Sequence, residues 1–194
     1  MKMEKKANPC NVLTPKFRVS YPHLFKPQAP KPNDKPKYSV TMLFPKNADL
    51  TLIKGAIQAA KIEAYGADKS KWPRVIESPV TDGDDPKNDD KEGYKGHWVI
   101  KATTGADYKP QVFDENGQPT LDQSVIYPGC YARAFVFARR WEYMKKEGIH
   151  FILDGIQKMS DGKPFGNRKP LDQVFTPVGT GNPIDDEGQD EENF

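Results

Sequence analysis

The sequence contains few of the residues and motifs that metal sites, disulfides and membrane spans require. Its 194 residues include 2 cysteines and 3 histidines, and Cys10 and Cys130 stand in no metal-binding or redox spacing. We therefore expect two free thiols, a reducing cytoplasm, and no metal ion or other cofactor. No apolar run approaches the roughly 20 residues that a membrane-spanning helix needs, so we expect no membrane contact.

Catalytic motifs are equally scarce. The histidines are scattered, and neither a G-x-S-x-G sequence nor a Walker glycine loop occurs. Carboxylates crowd the stretch DGDDPKNDDKE (82–92), but Lys87 stands where a calcium-binding EF-hand loop requires glycine. Asp82, Asp84 and Asp85 leave a metal-dependent nuclease open as an alternative. A Pro-interrupted loop cannot preorganise neighbouring carboxylates, so we predict a solvated loop and no enzyme.

The net charge of +2 conceals an asymmetry between the body of the chain and its end. Residues 184–194 hold 6 carboxylates and no lysine or arginine. Residues 1–183 therefore carry 29 basic residues against 21 acidic ones (27 less those 6), a net charge of +8. A basic body attracts polyanions, of which nucleic acid is the commonest in a cytoplasm.

Strand-like stretches outnumber helical ones. Strand character occurs in FRVSYPHLF, KYSVTMLF, HWVIKATT, YKPQVFD, CYARAFVFARRWEYM and GIHFIL, and Pro- and Gly-rich segments separate several of these stretches. Helical spacing occurs once, between a capping Asp49 and a terminating Gly66. We predict a mainly β protein: a five-stranded, OB-fold-like antiparallel barrel with one α-helix after strand 2, long loops and a disordered acidic C-terminal tail.

The strongest strand, YARAFVFARRWEY (131–143), has two contrasting faces. A period of two places small apolar residues on one face: Ala132, Ala134, Val136 and Ala138. The other face alternates rings and cations: Tyr131, Arg133, Phe135, Phe137, Arg139, Trp141 and Tyr143. Bases stack on aromatic rings and arginine neutralises phosphate, so this face favours nucleic acid. The alternative is that Phe135 and Phe137 are core residues beneath a helix and that the arginines are solvated edge charges.

Further aromatic residues lie close to cations elsewhere on the basic body. Stacking surfaces without a reading helix favour single strands, because paired bases expose no faces. The predicted DNA-binding residues are Tyr38, Trp98, Lys101, Tyr108, Arg133, Phe135, Phe137, Arg139, Arg140, Trp141 and Arg168. An RNA-binding or strand-annealing module stays open, because no residue identifies the sugar.

Several motifs also carry a resemblance. RVSYPHLFKP, KYSVTMLFPK, WPRVIESPVTDGDD, GHWVIKATTGADYKPQVFD, YPGCYARAFVF and GIHFILDGIQKMSDG occur in an order and spacing that resemble a family of phage and prophage single-stranded DNA-binding proteins. The resemblance covers most of residues 17–175. It implies an OB-fold domain over residues 1–178, no catalysis, and sequence-independent coating of single strands in phage DNA replication, recombination or repair in the host cytoplasm.

The acidic end resembles the C-termini of replication single-strand binders, so residues 179–194 are predicted to form a flexible tail. Its partner-binding residues are Asp185, Asp186, Glu187, Asp190, Glu191, Glu192 and Phe194. Their charge supplies long-range attraction, and the terminal ring fills an apolar site on a replication or recombination protein. The same charge competes with DNA for the basic body. A homo-oligomer or a cooperative array on DNA stays open.

Overall fold

The computed structural model describes residues 8–166. Arg168, the boundary predicted at residue 178 and the acidic tail lie outside the described residues, so the predictions made for them stay predictions.

The described chain forms eight β-strands, one α-helix and two single-turn 3₁₀ helices. The strands are β1 (Asn11–Leu13), β2 (Phe17–Gln28), β3 (Lys37–Pro45), β4 (Val80–Asp82), β5 (His97–Gly105), β6 (Gln111–Phe113), β7 (Tyr131–Tyr143) and β8 (Lys146–Ser160). The helices are α1 (Thr51–Tyr65) and the short turns Lys69–Lys71 and Pro86–Asn88.

All eight strands join in one sheet, in the order β1-β7-β2-β3-β5-β8-β6, with β4 paired to β5 and a further pairing of β7 with β8. Most pairs are antiparallel, but β8 runs parallel to both β5 and β6. The β2–β7 and β5–β8 pairings each span only two residue pairs. The long β7–β8 hairpin, by contrast, is paired along its whole length.

The predicted fold class is therefore confirmed only in its coarse form: mainly β, with a single α-helix and long loops. The strand count of five is wrong, because β1, β4 and β6 also belong to the sheet. The sheet is not a closed five-stranded barrel, and it is not wholly antiparallel. Strands of three residues carry no readable periodicity, which is why β1 and β4 were not predicted, whereas β6 lies within the predicted strand-like stretch YKPQVFD (108–114).

Helix α1 follows β3, which is the second of the five long strands but the third strand of the chain. Gly66 ends the helix with a φ of 83°, as its position predicted. Leu50, rather than Asp49, occupies the N-cap; the Asp49 carboxylate still accepts a hydrogen bond from the Thr51 N–H at 2.9 Å. The buried face of the helix consists of Ile53, Ala56, Ile57 and Ala60.

The predicted alternation along β7 is confirmed. Ala132, Ala134, Val136 and Ala138 are all buried in the main core. Larger side chains from the other strands complete that core, among them Phe17 and Phe44, whose ring centroids lie 5.5 Å apart. From residue 131 to residue 139, the inner face of β7 thus carries only small side chains, and the larger ones lie on the opposite face.

A second, smaller cluster covers one end of the outer face of β3 and β5. Leu43 and Val99 from these strands are buried together with Tyr94 from the loop before β5, and Phe165 packs against them. The Arg18 guanidinium lies 4.2 Å from the centre of the Phe165 ring and donates to the Lys163 carbonyl at 2.7 Å. These residues cover only one end of the outer face of β3 and β5, and the other end of that face is left uncovered.

Both cysteines are free and buried, as predicted. Within residues 8–166, no helix has the length and apolarity needed to cross a bilayer.

Candidate nucleic-acid interface

The open end of the sheet's outer face forms a groove of about 610 Å³ between β3, β5, β8, β7 and the β5–β6 loop. We call it the sheet groove. It is lined by Lys37, Thr103, Thr104, Gly105, Tyr108, Lys109, Phe137, Arg139, His150, Ile152, Leu153 and Asp154.

Strand register explains why these residues meet. Across the sheet, Lys37 lies opposite Gly105, Thr103 opposite Ile152, Ile152 opposite Phe137, and His150 opposite Arg139. Because side chains alternate between the two faces of a strand, residues that lie opposite one another point to the same side. Gly105, which has no side chain, leaves open space beside Lys37.

The groove brings together three of the predicted DNA-binding residues: Tyr108, Phe137 and Arg139. The Tyr108 side chain is 75% exposed, and the Arg139 guanidinium lies 5.9 Å from the centre of the Phe137 ring. The groove therefore holds one largely exposed ring, Tyr108, and one half-buried ring, Phe137, with a cation over the latter.

Three residues that line the groove are not among the predicted DNA-binding residues: Lys37, Lys109 and His150. Each is adjacent in sequence, or opposite in register, to a residue that was predicted. His150 could have been predicted from its position opposite Arg139 in the β7–β8 hairpin. That register can be derived only once the turn is placed at Met144 and Lys145.

Two predicted stacking residues are not available in the groove. Tyr38 is only 7% exposed and points to the same side of β3 as the core residue Val40. Trp98 is half-buried and packs against the main core, with the Lys46 ammonium 3.9 Å from the centre of its ring. Lys101 is exposed on the opposite face of β5 from Trp98, so this predicted aromatic–cation pair does not form.

Arg140 lies on the opposite side of β7 from Arg139 and is engaged within the protein. Its guanidinium donates to Glu147 at 2.9 Å and to Glu142 at 2.6 Å, and it lies over the Tyr65 ring. Hydrogen bonding to Glu147 raises the pKa of Arg140, and the same contact lowers the pKa of Glu147. The pairing neutralises the charge that the prediction assigned to phosphate. Trp141, half-buried one residue further along, does not line the groove.

At the other end of β7, Arg133 and Phe135 also face outward but lie beyond the groove. The Arg133 Nε–H donates to the Gln157 side-chain oxygen at 2.9 Å, and Phe135 is 40% exposed. Both line a second, smaller hollow.

The groove has a positive balance of charge. Lys37, Lys109 and Arg139 face a single carboxylate, Asp154. Among residues 8–166, none of these three cations forms an ion pair. Burial, followed by the charges of Lys37 and Arg139, lowers the pKa of His150. An anion entering the groove would meet unneutralised cations.

The carboxylates of Asp82, Asp84 and Asp85 in the acidic loop are engaged in ion pairs and hydrogen bonds within the protein. Lys46 forms ion pairs with Asp82 and Asp84, and Asp84 accepts from the Gly96 N–H at 2.7 Å. Asp85 accepts from the Lys87 N–H and pairs with the Lys87 ammonium at 2.9 Å. In the described part of the chain, no three acidic, histidine or cysteine side chains are grouped so that they could hold a metal ion.

The fold and the groove together define a mainly β protein whose open sheet face suits a polyanion carrying flat rings. The chain belongs to the family of the single-stranded DNA-binding protein of Enterobacter phage Enc34, which it matches over residues 10–191.

Solved structures agree with this assignment. The bacteriophage Enc34 single-stranded DNA-binding protein in complex with single-stranded DNA is 26% identical, with a TM-score of 0.68, over 84% of this chain and 96% of that one. Its C-terminal truncation is also 26% identical, with a TM-score of 0.66, over 83% and 95% of the two chains. The gp2.5 single-stranded DNA-binding protein of bacteriophage T7, 15% identical with a TM-score of 0.60 over 89% and 98%, shares the fold. No curated protein matches the chain in sequence.

Proposed function

We propose that this protein is a non-enzymatic single-stranded DNA-binding protein, which coats strands exposed during phage DNA replication, recombination or repair in the host cytoplasm. One observation carries the proposal: the sheet groove places Tyr108 and Phe137 beside Lys37, Lys109 and Arg139, none of which is paired with a carboxylate in the described chain. Family membership and the relative solved with single-stranded DNA support it.

The binding mode follows from the chemistry of the groove. Bases stack on Tyr108 and Phe137, while the three cations neutralise phosphates and release counterions. Every base has a flat face, so this part of the surface binds with little regard to sequence. Affinity falls steeply with salt.

We also assign the five long strands to an oligonucleotide-binding barrel. Their pairing runs β2-β3-β5-β8-β7, and β7 pairs again with β2 at Phe17 and Arg18. A five-stranded, partly open barrel of this kind binds oligonucleotides on its second and third strands. These are β3 and β5 here, and both contribute to the sheet groove.

The proposal extends to the acidic end of the chain. Residues 179–194 act as a partner-binding tail, with the carboxylates from Asp185 to Glu192 guiding encounter and Phe194 as the apolar anchor for a replication or recombination protein. Their charge competes with DNA for the sheet groove. The basic balance of residues 1–183 supports this competition.

The testing experiment is fluorescence anisotropy with a labelled single-stranded DNA, its duplex and the matching RNA. It compares the intact chain with a version ending at Pro183, in a salt series. We expect salt-sensitive preference for single-stranded DNA that strengthens on truncation. Equal affinity for the RNA would favour the RNA-binding alternative, and no binding to any of the three at low salt would overturn the proposal.

The adjacent arginines of β7 offer a matched pair of variants. Arg139→Gln is expected to lower single-strand affinity about 5- to 10-fold at 0.1 M salt. It should also make the slope of log K against log salt shallower by about 0.7, the share of one phosphate contact. Arg140→Gln should leave that slope unchanged and lower the melting temperature instead, because Arg140 is paired with Glu142 and Glu147. Equal slopes for the two variants would contradict the assigned path of the strand.

Binding is also expected to depend on pH through His150. Its pKa is lowered in the free protein, where Lys37 and Arg139 face it from β3 and β7 within a groove that also holds Lys109 and Asp154. A bound phosphate favours the protonated ring, so binding takes up a proton and affinity rises as pH falls from 7.5 to 5.5.

We expect a several-fold gain in affinity across that range for the intact chain and a flatter profile for His150→Gln. His97→Gln is the control, since His97 does not line the groove. Burial, followed by the charge of Lys101, also lowers the pKa of His23, which contributes any slope that remains. An unchanged profile in the His150 variant would contradict this role.

A further inference from the structure

A second hollow of about 300 Å³ lies on the same outer face of β7 as the sheet groove. We call it the Phe135 hollow. It is lined by Leu13, Phe113, Gly117, Arg133, Phe135, Gly155, Ile156 and Gln157.

The strand register determines which residues flank the Phe135 ring. Leu13 of β1 lies opposite Phe135 on one flank, and Gly155 of β8 lies opposite on the other. Because Gly155 has no side chain, β8 places no cross-strand side chain beside the Phe135 ring. A methyl group built at Gly155 would lie 3.4 Å from the Gln111 carbonyl oxygen and 3.8 Å from the Phe113 ring, which is ordinary contact, so a small group fits there.

The rim of the hollow is polar, and its free groups are donors. The Arg133 Nε–H donates to the Gln157 side-chain oxygen, which occupies the acceptor of that amide. The amide NH₂ of Gln157 and the terminal NH₂ groups of Arg133 then remain to donate. No carboxylate forms an ion pair with Arg133 within residues 8–166.

Such a rim discriminates between bases. Guanine presents two acceptors, O6 and N7, on one edge, and arginine donates to both at once, whereas thymine lacks that pair. A stacked base read along its edge is how single-stranded nucleic acid is recognised with sequence preference. The Phe135 ring, with the hydrogen-bond donors of Arg133 and Gln157 beside it, therefore suits a guanine.

The hollow is also within reach of a strand in the sheet groove. Phe135 and Phe137 are two residues apart on one face of β7, which is roughly 7 Å along a strand. Each of these two rings has an arginine two residues away on the same face of β7, on the side away from the other ring. Arg139 follows Phe137, and Arg133 precedes Phe135. The aromatic–arginine pair is thus repeated beside the groove that we propose as the DNA-binding surface.

We propose that the Phe135 hollow is a base-selective subsite, which takes one guanine of the strand held in the sheet groove. This inference rests on the proposed function and adds a sequence preference to it. A second copy of this chain fits the hollow less well, because a stable dimer buries about 800 Å² on each partner and the apolar part here is one small concavity with a charged rim.

The test uses the full chain and 12-nucleotide oligomers made of thymidine, or of thymidine with one guanine at a varied position. We expect guanine at one position to raise affinity about 10-fold. Replacing that guanine by 7-deazaguanine, which lacks N7, should remove most of the gain. Titrations are read by anisotropy at a fixed salt concentration.

Two variants examine the hollow itself. Arg133→Met keeps the apolar stem and should abolish the guanine gain while lowering thymidine-oligomer affinity by no more than about 3-fold. Gly155→Val fills the space and should abolish the gain without removing any donor. Thermal melts confirm that both variants are folded, and light scattering of the same samples reports the oligomeric state.

The outcomes separate this inference from the proposed function. No binding of any oligomer by the intact chain would overturn both. Tight binding with equal affinity for all sequences, unaltered by either variant, would overturn the subsite and leave the function standing. A change of Gly155→Val from dimer to monomer, with DNA binding unaltered, would assign the hollow to a second copy of the chain.

Discussion

Replacing Phe137 with alanine is expected to weaken binding to single-stranded DNA by about 10- to 100-fold. A base stacked on an aromatic side chain contributes about 1–3 kcal/mol, and Phe137 lines the sheet groove, opposite Ile152 and beside Arg139. The loss should appear at every salt concentration, because stacking releases no counterions. Fluorescence anisotropy with a labelled thymidine oligomer measures it.

Phe137→Leu is the matched variant, since leucine keeps the apolar bulk and loses the flat ring. We expect it to recover protein stability fully and DNA affinity only in part. Phe137 is half-buried, so thermal melts of both variants should accompany the titrations. If leucine restores wild-type affinity, Phe137 supports the groove as a packing residue and its ring does not stack on a base.

Replacing Gly129 with alanine is expected to cost the fold several kcal/mol and to lower the melting temperature by on the order of 10 °C. Gly129 has a φ of 103°, which strains any residue with a β-carbon. The added carbon would also lie 2.3 Å from the Lys163 carbonyl oxygen and 2.8 Å from the Pro164 α-carbon. Both neighbours are backbone, so the 161–166 segment would have to move.

Gly96→Ala separates the two causes, because Gly96 has a φ of 75° but nothing within 4 Å of the added carbon. We expect that variant to lose only about 1–2 kcal/mol. Denaturant melts compare the two. Displacing the 161–166 segment should also release Phe165 from Leu43 and Tyr94, which intrinsic fluorescence near Tyr94 would report. Equal losses in the two variants would mean that the crowding at Gly129 relaxes without cost.

The outer face of β7 could be read from the sequence because it depends on a single strand. Alternation along residues 131–139 needs no partner, so Phe137 and Arg139 were identified, together with the buried alanines. Tyr108 was selected because it is an aromatic residue directly next to a cation, Lys109, on a basic chain. These are local properties.

The errors arose where the answer depends on a distant residue. Tyr38 lies beside the exposed Lys37, and only the pairing of β3 with β5 decides which of the two points inward. Arg140 is neutralised by Glu147, which the β7–β8 turn brings back to it. The pairings of β8 with β5 and β6 join segments that are far apart in the chain. The residue pattern of a strand does not indicate which other strand it pairs with.

The strand order of the sheet ends in β1 and β6, which have only three residues each. An edge strand exposes unpaired N–H and C=O groups, and a long, flat edge is a template onto which another chain adds. A protein that coats DNA brings its own copies to high local density along the strand, the condition under which edge-to-edge polymerisation is most dangerous. Short edges let neighbouring molecules crowd together without fusing their sheets, so the coat can dissolve again when the strand is copied.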